Sequence, residues 1–300
     1  MKCLKCKGSI KNNEENTYGL HTYCFKEWFK VVDITNFDNL NRKNDSSNSE
    51  EKGFNKFNSS FFQGKFKKYS ASLESTDYIL KVEEKNFEEL PATEFLCNKI
   101  AVNLKIHVAE HFFINFHGLE TFVTKNFIDR NKRHILHHIY HYFKEGEQFN
   151  VKTIIKIIEK QVGRIGDIEK FVELCLFDSL IGNHDRHGRN LAFLEERGQL
   201  HLSPFYDNPS YIGIEDPLLL EAEHSPKGKI ATTLTNEPSM SDYVREFMEL
   251  GFEYIVKDFL RNIRISSIKT LINSSYISRN RQNALIRIIE SRYKELQDEL

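Results

Sequence analysis

The sequence predicts an α+β fold of two lobes, a β-rich N-terminal lobe (N-lobe) followed by a helical C-terminal lobe (C-lobe). Segments with alternating or β-branched residues recur in the first half, at 68–73, 78–82, 110–116 and 121–127. From about residue 132 onward, apolar residues recur at i, i+3 and i+4, which is the spacing of amphipathic helices. A cleft between two such lobes is a favoured place for a ligand.

The same patterns divide the chain into segments. One helix is predicted inside the N-lobe at 90–104, and a short strand at 191–194. The C-lobe helices are predicted at 135–143, 151–162, 168–181, 241–263, 264–274 and 280–298. The predicted domains are a zinc-knuckle-like segment at 1–36, a polar linker at 37–58, the N-lobe at 59–130 and the C-lobe at 131–300.

Composition narrows the classes of partner. The 42 Lys and Arg residues nearly balance the 43 Asp and Glu residues, so we expect no direct nucleic-acid binding. No apolar run approaches the ~20 residues of a membrane span, and no secretory signal is expected from the polar N-terminus. Five cysteines without a framework pattern favour a reducing compartment. We therefore expect a cytoplasmic protein.

Three of the five cysteines lie within the first 24 residues. Cys3-x2-Cys6 and, after fourteen residues, His21-x2-Cys24 form two pairs with the spacing of a structural zinc site. Four ligands favour a tetrahedral Zn²⁺ site over unligated thiols in a disordered tail. A site with four protein ligands is closed, so we assign it no catalytic role.

A highly polar loop follows the predicted helix that ends near Gly182. It contains Asp185 and, five residues later, Asn190, and a second polar turn carries Asp207. Phosphoryl transfer needs a carboxylate that positions the attacking hydroxyl, and an Asn and a second Asp that hold Mg²⁺ on the nucleotide phosphates. Protein kinases separate the first Asp and the Asn by five residues. The spacing alone is weakly specific, because a solvated loop with Asp and Asn as turn caps shares it.

The residues around these positions resemble a known family. Asn-His-Asp-Arg-His-Gly-Arg-Asn, ending at Asn190, resembles the N-x-D-x-H-x-x-N catalytic loop of the HipA family of Ser/Thr protein kinases. Ser-Pro-Phe-Tyr-Asp, ending at Asp207, resembles the P-x-Y-D motif that follows it. The resemblance implies a kinase-like fold in which Asp185 is the catalytic base and Asn190 and Asp207 bind Mg²⁺.

The resemblance extends into the N-lobe. Tyr-Ile-Leu-Lys, ending at Lys81, resembles the family's strand whose lysine contacts the ATP phosphates. Leu-Pro-Ala-Thr-Glu, ending at Glu94, resembles the helix start whose acidic residue faces that lysine. The hinge backbone at Thr124–Asn126 is then expected to meet the adenine. A surface lysine on an edge strand is the alternative for Lys81, and the glutamates between 83 and 89 are alternatives to Glu94.

The predicted nucleotide loop is the poorest match. The family shows an S-x-S-G-x-Q-x-K stretch whose Ser can be autophosphorylated, and this chain has Asn-Ser-Ser-Phe-Phe-Gln-Gly-Lys. Gln63 and Lys65 match, which implies that they bind the nucleotide. Phe61 replaces the Gly, and Phe lacks the backbone freedom of Gly. The candidate autophosphorylation sites are Ser59 and Ser60.

Together these features predict an ATP- and Mg²⁺-dependent Ser/Thr protein kinase of the HipA-like toxin type. The Cys/His start resembles the short, HipT-like members of the family. The resemblance implies a protein substrate, with aminoacyl-tRNA synthetases as the family's best-known targets, and a possible antitoxin partner. It also implies a bacterial cytoplasm, with delivery into a host cell as the alternative. An ATP-binding pseudokinase or an effector without toxin activity is the alternative. A zinc-ribbon nucleic-acid protein is disfavoured, because residues 1–30 show no dense basic stripe.

Overall fold

A short hairpin and one helix form the N-terminal part of the computed structural model. Strands β1 (Asn16–Thr17) and β2 (Leu20–His21) pair antiparallel, and helix α1 (Thr22–Phe29) follows directly. The structure describes residues 1–11, 15–42, 66–129, 132–221 and 227–300. The ring of Phe29 packs on Phe112, with centroids 4.6 Å apart, and on Tyr78 at 5.6 Å. The predicted segment at 1–36 therefore shares a hydrophobic core with the N-lobe.

The N-lobe is built on a five-stranded antiparallel sheet. In pairing order its strands are β3 (Asp38–Arg42), β4 (Lys67–Leu73), β5 (Thr76–Val82), β7 (Leu119–Lys125) and β6 (His111–Phe116). The four strands predicted here are confirmed as β4 to β7. The linker predicted at 37–58 is wrong at its start, because β3 lies there. All five β3 side chains are exposed, so the strand is held by backbone pairing with β4 rather than by apolar burial.

Helix α2 (Leu90–Asn103) connects the sheet to the C-lobe and confirms the helix predicted at 90–104. Pro91 stands in its first turn, where a missing backbone N–H costs no hydrogen bond. Phe95 stacks on Phe113 of β6 with centroids 5.2 Å apart. Most of the helix is buried, because its faces contact both the sheet and the C-lobe. A charged side chain on this helix must therefore find a partner inside the protein.

Within the described residues, six α-helices form the C-lobe: α3 (Val151–Gln161), α4 (Ile165–Ile181), α5 (Met240–Glu249), α6 (Glu253–Asn262), α7 (Ile265–Asn273) and α8 (Arg279–Asp298). Helix α4 is central and contacts α3, α5, α6 and α8. The single helix predicted at 241–263 is wrong, because α5 and α6 are separate. Gly251 between them has a φ of +85°, the left-handed conformation that ends helices. None of the helices in the described ranges combines the length and apolar character needed to cross a membrane.

A second, smaller antiparallel sheet has the pairing order β10-β9-β8. Its strands are β8 (Ile135–His138), β9 (Ala192–Glu196) and β10 (Gln199–Leu202). The helix predicted at 135–143 is wrong, because these residues form β8 and then a 3₁₀ helix, Ile139–Tyr142. Its apolar spacing fits a helix, but pairing of β8 with β9 satisfies the backbone instead. The strand β9 confirms the one predicted at 191–194.

Glu120 on β7 gives the N-lobe a testable pH dependence. Burial, with the carboxylates of Glu83 and Glu89 nearby, raises the pKa of Glu120 to about 7. An unfolded Glu titrates near ~4.3, so the folded chain binds this proton more tightly. The resulting stability is complete below about pH 4 and is lost as the pH rises through about 7. We expect Glu120→Gln to melt above the wild type at pH 8 and with it at pH 4.

The measurement is the melting temperature across this pH range. The exposed Glu145 provides a control, because Glu145→Gln is expected to leave the pH profile unchanged. Solvent reaches part of the Glu120 side chain and screens the repulsion, so the difference is expected to be modest. If the difference in melting temperature between Glu120→Gln and wild type is the same at pH 4 and pH 8, the raised pKa of Glu120 is contradicted.

Candidate active site and metal cluster

Lys81 lies at the centre of a buried charge cluster. Its Nζ donates to Glu94 Oε1 and Oε2 at 2.6 and 2.9 Å, and to Asp207 Oδ1 at 2.5 Å. Lys81 is 3% exposed on β5, which has a strand on each side, so it is not a surface lysine on an edge strand. Glu94 is the glutamate that pairs with it. Three residues singled out in the sequence, from β5, α2 and the turn after β10, are thus in direct contact.

Electrostatics favour the charged forms of Lys81 and Asp207 in this cluster, but not that of Glu94. Burial disfavours the Lys81 ammonium, but Asp207 and Glu94 together raise its pKa above the usual range. Burial also opposes ionisation of Asp207, but Lys81 and Lys68 hold the pKa of that carboxyl well below its ordinary value. For Glu94 burial prevails over the attraction of Lys81, and its pKa is raised. Lys68 was not singled out in the sequence; it lies opposite Lys81 on β4, so both side chains are on one face of the sheet.

The loop after α4 holds Asp185 and Asn190 together. The helix ends at Gly182, which takes the left-handed conformation with φ +70°. Asn190 Nδ2 donates to the Asp185 carbonyl at 2.9 Å, and its Oδ1 accepts from the His187 N–H at 2.8 Å. The Asp185 N–H donates to Asn183 Oδ1 at 3.0 Å. The Asn190 side chain therefore closes the turn that carries Asp185.

Arg186, between the two, is 1% exposed and was missed in the sequence. Its guanidinium forms a bidentate ion pair with Asp178 of α4, with Nε–Oδ2 and Nη2–Oδ1 distances of 2.7 and 2.9 Å. Nη1 donates to the carbonyls of Asn190 and Tyr206 at 3.1 and 2.8 Å, and Nη2 to Asn208 Oδ1 at 2.6 Å. One side chain therefore joins the loop of Asp185 to the turn that carries Asp207. In the sequence nothing distinguishes it from a solvated arginine.

The turn at Asp207 has an unusual backbone. Asp207 has a φ of +53°, a left-handed conformation that Asp adopts more readily than most side chains. Its side chain is 31% exposed, in contrast to Lys81 and Glu94. The preceding Tyr206 donates its hydroxyl to the Arg189 carbonyl at 3.1 Å and packs on Phe127, with ring centroids 5.7 Å apart. This turn therefore contacts both the polar loop and the connection between the lobes.

The predicted hinge at Thr124–Asn126 comprises the last two residues of β7 and the residue after the strand. The Asn126 N–H donates to the Asp77 carbonyl at 2.8 Å, and its Oδ1 accepts from the Ile128 N–H at 3.1 Å. Thr124 pairs with residues on both neighbouring strands. The Asn126 side chain thus shapes the connection between the lobes. The predicted nucleotide-loop residues Gln63 and Lys65, and the candidate autophosphorylation sites Ser59 and Ser60, lie outside the described residues.

The described residues fit a Mg²⁺–nucleotide site chemically. Mg²⁺ prefers oxygen ligands, of which few come from protein carboxylates. Asp207 offers an ionised carboxylate. Asn190 Oδ1 accepts one hydrogen bond, which leaves one of its two lone pairs for a metal. Lys81 offers a buried ammonium of the kind that contacts nucleotide phosphates.

A second cluster, formed by the ligand atoms of Cys3, Cys6, His21 and Cys24, lies beside the N-lobe sheet. These four atoms all lie within 4.8 Å of one another. His21 Nδ1 lies 3.4 Å from Cys6 Sγ and 3.9 Å from Cys24 Sγ. A tetrahedral Zn²⁺ with bonds of about 2.0–2.3 Å places its ligand atoms about 3.5–3.8 Å apart. The geometry therefore suits a four-coordinate metal.

Two details around this cluster support metal binding. His21 Nε2 lies 3.1 Å from the Ser9 carbonyl, which fixes the proton on Nε2 and leaves Nδ1 free to bind a metal. A Cβ added to Gly8 would lie 3.3 Å from Cys6 Sγ, so the turn that follows Cys6 favours Gly. The cluster also reaches the C-lobe, because Tyr276 donates its hydroxyl to the Leu4 carbonyl at 2.6 Å.

Comparison with known proteins agrees with this architecture. The family model of the HipA-like C-terminal domain matches residues 56–265. The chain belongs to this family. The resemblance noted in the sequence is confirmed, and so is the two-lobe α+β fold. A search of curated proteins gave no match.

Two solved structures show the same HipA-like fold. The proinflammatory kinase CtkA of Helicobacter pylori superposes with a TM-score of 0.64 at 16% identity, over 77% of this chain and 92% of CtkA. HipA of Shewanella oneidensis MR-1, from a toxin–antitoxin complex with HipB and operator DNA, superposes with a TM-score of 0.53 at 15% identity. That match covers 74% of this chain and 58% of the HipA chain.

Proposed function

We propose that this HipA-like chain is an ATP-dependent protein Ser/Thr kinase that uses Mg²⁺. The observation that carries the proposal is the contact of Lys81 with both Glu94 and Asp207, at 2.6 and 2.5 Å, beside the loop that holds Asp185 and Asn190. In protein kinases a strand lysine paired with a helix glutamate contacts the nucleotide phosphates. Family membership and the fold support the same activity.

The mechanism assigns a role to each side chain. Asp185 orients the acceptor hydroxyl and takes its proton, while Glu94 holds Lys81 against the phosphates. Asn190 and Asp207 would hold Mg²⁺, which neutralises charge on the phosphate oxygens when it is bound. The backbone at Thr124–Asn126 would meet the adenine, and Gln63 and Lys65 would bind the nucleotide.

Asp185→Asn is the test of the activity. We expect the wild type to transfer labelled phosphate from Mg²⁺-ATP to protein, and Asp185→Asn to lose at least about 100-fold in rate, because general-base catalysis contributes about 10²–10⁴-fold. ATP should still raise the melting temperature of both proteins. Asp258→Asn, on the exposed side of α6, is the matched control and should transfer at the wild-type rate.

Two results would count against this activity. Equal label in wild type and Asp185→Asn would contradict the catalytic assignment. Stabilisation by ATP without transfer in either protein would support the pseudokinase alternative. The same reactions, mapped by mass spectrometry, test autophosphorylation at Ser59 or Ser60, and label on neither serine would remove that part of the proposal.

We further propose a protein substrate, with an aminoacyl-tRNA synthetase as the candidate class, and an antitoxin partner in a bacterial cytoplasm. The HipA relative is part of a toxin–antitoxin system with HipB, which supports this role. Arrested growth on expression of the wild type, but not of Asp185→Asn, would support a toxin. Normal growth with active kinase would favour the effector alternative, as CtkA is described as proinflammatory.

We also propose that the Cys/His cluster binds one structural Zn²⁺. The ligand distances and the bond of His21 to Ser9 support this proposal. Zinc held by four protein ligands leaves no open position, so the metal would stabilise the fold rather than take part in phosphoryl transfer.

A further inference from the structure

We propose that Asn98 on α2 is a positioning residue for the Mg²⁺ site, acting through Asn208 and Arg186. This inference rests on the proposed kinase function and adds to it a second link between α2 and the metal ligands. Asn98 follows Glu94 by one helical turn, so both residues lie on the same face of α2. Glu94 reaches Asp207 through Lys81, whereas Asn98 reaches the residue next to Asp207 directly.

A continuous chain of hydrogen bonds runs from α2 to the polar loop. Asn98 Nδ2 donates to the Glu94 carbonyl at 2.8 Å. Asn208 Nδ2 donates to Asn98 Oδ1 at 3.0 Å, and Arg186 Nη2 donates to Asn208 Oδ1 at 2.6 Å. The three side chains of this chain are 0–3% exposed. Water does not compete with buried hydrogen bonds, so each of them restricts its partners strongly.

The direction of this chain is fixed by its two ends. A guanidinium can only donate, and a backbone carbonyl can only accept. Arg186 at one end therefore requires the oxygen of Asn208, whose nitrogen then faces Asn98. The Glu94 carbonyl at the other end requires the nitrogen of Asn98, whose oxygen then faces Asn208. Each amide has one orientation that satisfies both neighbours, so the chain defines a single geometry.

These hydrogen bonds position the backbone next to the two proposed metal ligands, Asn190 and Asp207. Asn208 directly follows Asp207, and its Oδ1 is held by the guanidinium that also binds the carbonyls of Asn190 and Tyr206. Asn98 therefore determines how α2 lies relative to the backbone of both ligands. Both polar atoms of the Asn98 amide are used within the protein, so its effect on the metal is indirect.

The test is the Mg²⁺ dependence of ATP binding, measured by calorimetry with ATP and MgCl₂. We expect Asn98→Leu to raise the Mg²⁺ concentration for half-maximal ATP binding by about tenfold or more, because removing a residue that orients metal ligands costs about 10–100-fold in metal affinity. ATP binding without Mg²⁺ should change by less than about twofold, since the Lys81–Glu94 contact remains.

Asn103 provides a matched control on the same helix. Its Nδ2 bonds to Ser267 Oγ at 3.1 Å on the protein surface, away from the polar loop. Asn103→Leu is expected to leave the Mg²⁺ dependence unchanged. A double variant, Asn98→Leu with Asn208→Leu, should be no weaker in Mg²⁺ binding than the weaker single variant, because both changes break one chain. If the losses of Mg²⁺ affinity in the double variant are additive, Asn98 and Asn208 act independently. That result would overturn the proposal that they act through one set of connected hydrogen bonds.

The outcomes separate this inference from the proposed function. A wild type without Mg²⁺-dependent ATP binding would overturn both. A wild type that binds, with Asn98→Leu equal to Asn103→Leu, would overturn the positioning role alone. A lower melting temperature with unchanged Mg²⁺ dependence would reduce Asn98 to a structural residue. If Asn98→Leu does not fold, the same measurement is made with Asn98→Ser, which keeps a polar side chain at this buried position.

Discussion

Replacing Arg186 with methionine is expected to lower the free energy of unfolding by about 3–5 kcal/mol, because removing one partner of a buried ion pair leaves the other charge uncompensated. The partner, Asp178, has a side chain that is only 7% exposed. The carbonyls of Asn190 and Tyr206 lose a donor at the same time. Since a typical domain has only about 5–15 kcal/mol of stability, this change removes a large share of it.

Urea denaturation measures this loss, and Arg261 supplies the control. Arg261 pairs with Asp258 at 2.5 Å, but both side chains are more than half exposed. Arg261→Met should therefore cost at most about 1 kcal/mol. A double variant, Arg186→Met with Asp178→Leu, should recover much of the loss, because an apolar pair can replace a buried ion pair. Equal losses for Arg186→Met and Arg261→Met would contradict this account.

Loss of the proposed zinc is also expected to lower the stability of the fold strongly. Structural zinc contributes about 10–16 kcal/mol of apparent free energy in small zinc-binding peptides. Even about 3 kcal/mol would lower the melting temperature of a 300-residue chain by roughly 5 °C, because the entropy of unfolding is about 2.1 cal/mol/K per residue. Phe25 and Phe29, which follow the last ligand along α1, belong to the N-lobe core, so the loss reaches beyond the cluster.

Metal analysis and melting curves test this expectation together. The wild type should hold one Zn²⁺ per chain, and Cys24→Ala should hold none and melt at a lower temperature. Cys97 is buried on α2, outside the cluster, so Cys97→Ala should keep its zinc. A strong chelator should lower the melting temperature of the wild type towards that of Cys24→Ala. A wild type that melts equally with and without chelator would contradict a structural zinc.

Local patterns account for the helices, the strands and the groups of neighbouring side chains that the sequence predicted and the structure also shows. The ligand spacing around Cys3 and His21 and the five-residue separation of Asp185 and Asn190 are local patterns. Apolar periodicity likewise predicted most helices, because a helix records its buried face within a few turns. The pairing of Lys81 with Glu94 followed from the family resemblance, and the structure brings the two into contact.

Features that depend on distant parts of the chain were missed. Asn98 and Asn208 are 110 residues apart, and each looks in the sequence like an ordinary polar residue. Arg186 is buried by its partners, none of which a local pattern reveals. At 135–143 a short apolar pattern fits both helix and strand, and only the pairing with β9 decides between them. The strand β3 was missed because exposed polar residues carry no burial pattern.

The bond between Tyr276 and Leu4 has a consequence for the order of folding. The two residues are 272 positions apart, which at roughly 5–20 residues per second is tens of seconds of synthesis. The four Cys/His ligands, in contrast, emerge from the ribosome within a short stretch of chain. If the cluster binds zinc as proposed, a nascent chain can capture the metal long before the surface that receives Leu4 exists. Docking of this N-terminal segment onto the C-lobe is then one of the last steps of folding, and a ribosome that stalls before Tyr276 would display the segment packed on the N-lobe but not yet on the C-lobe.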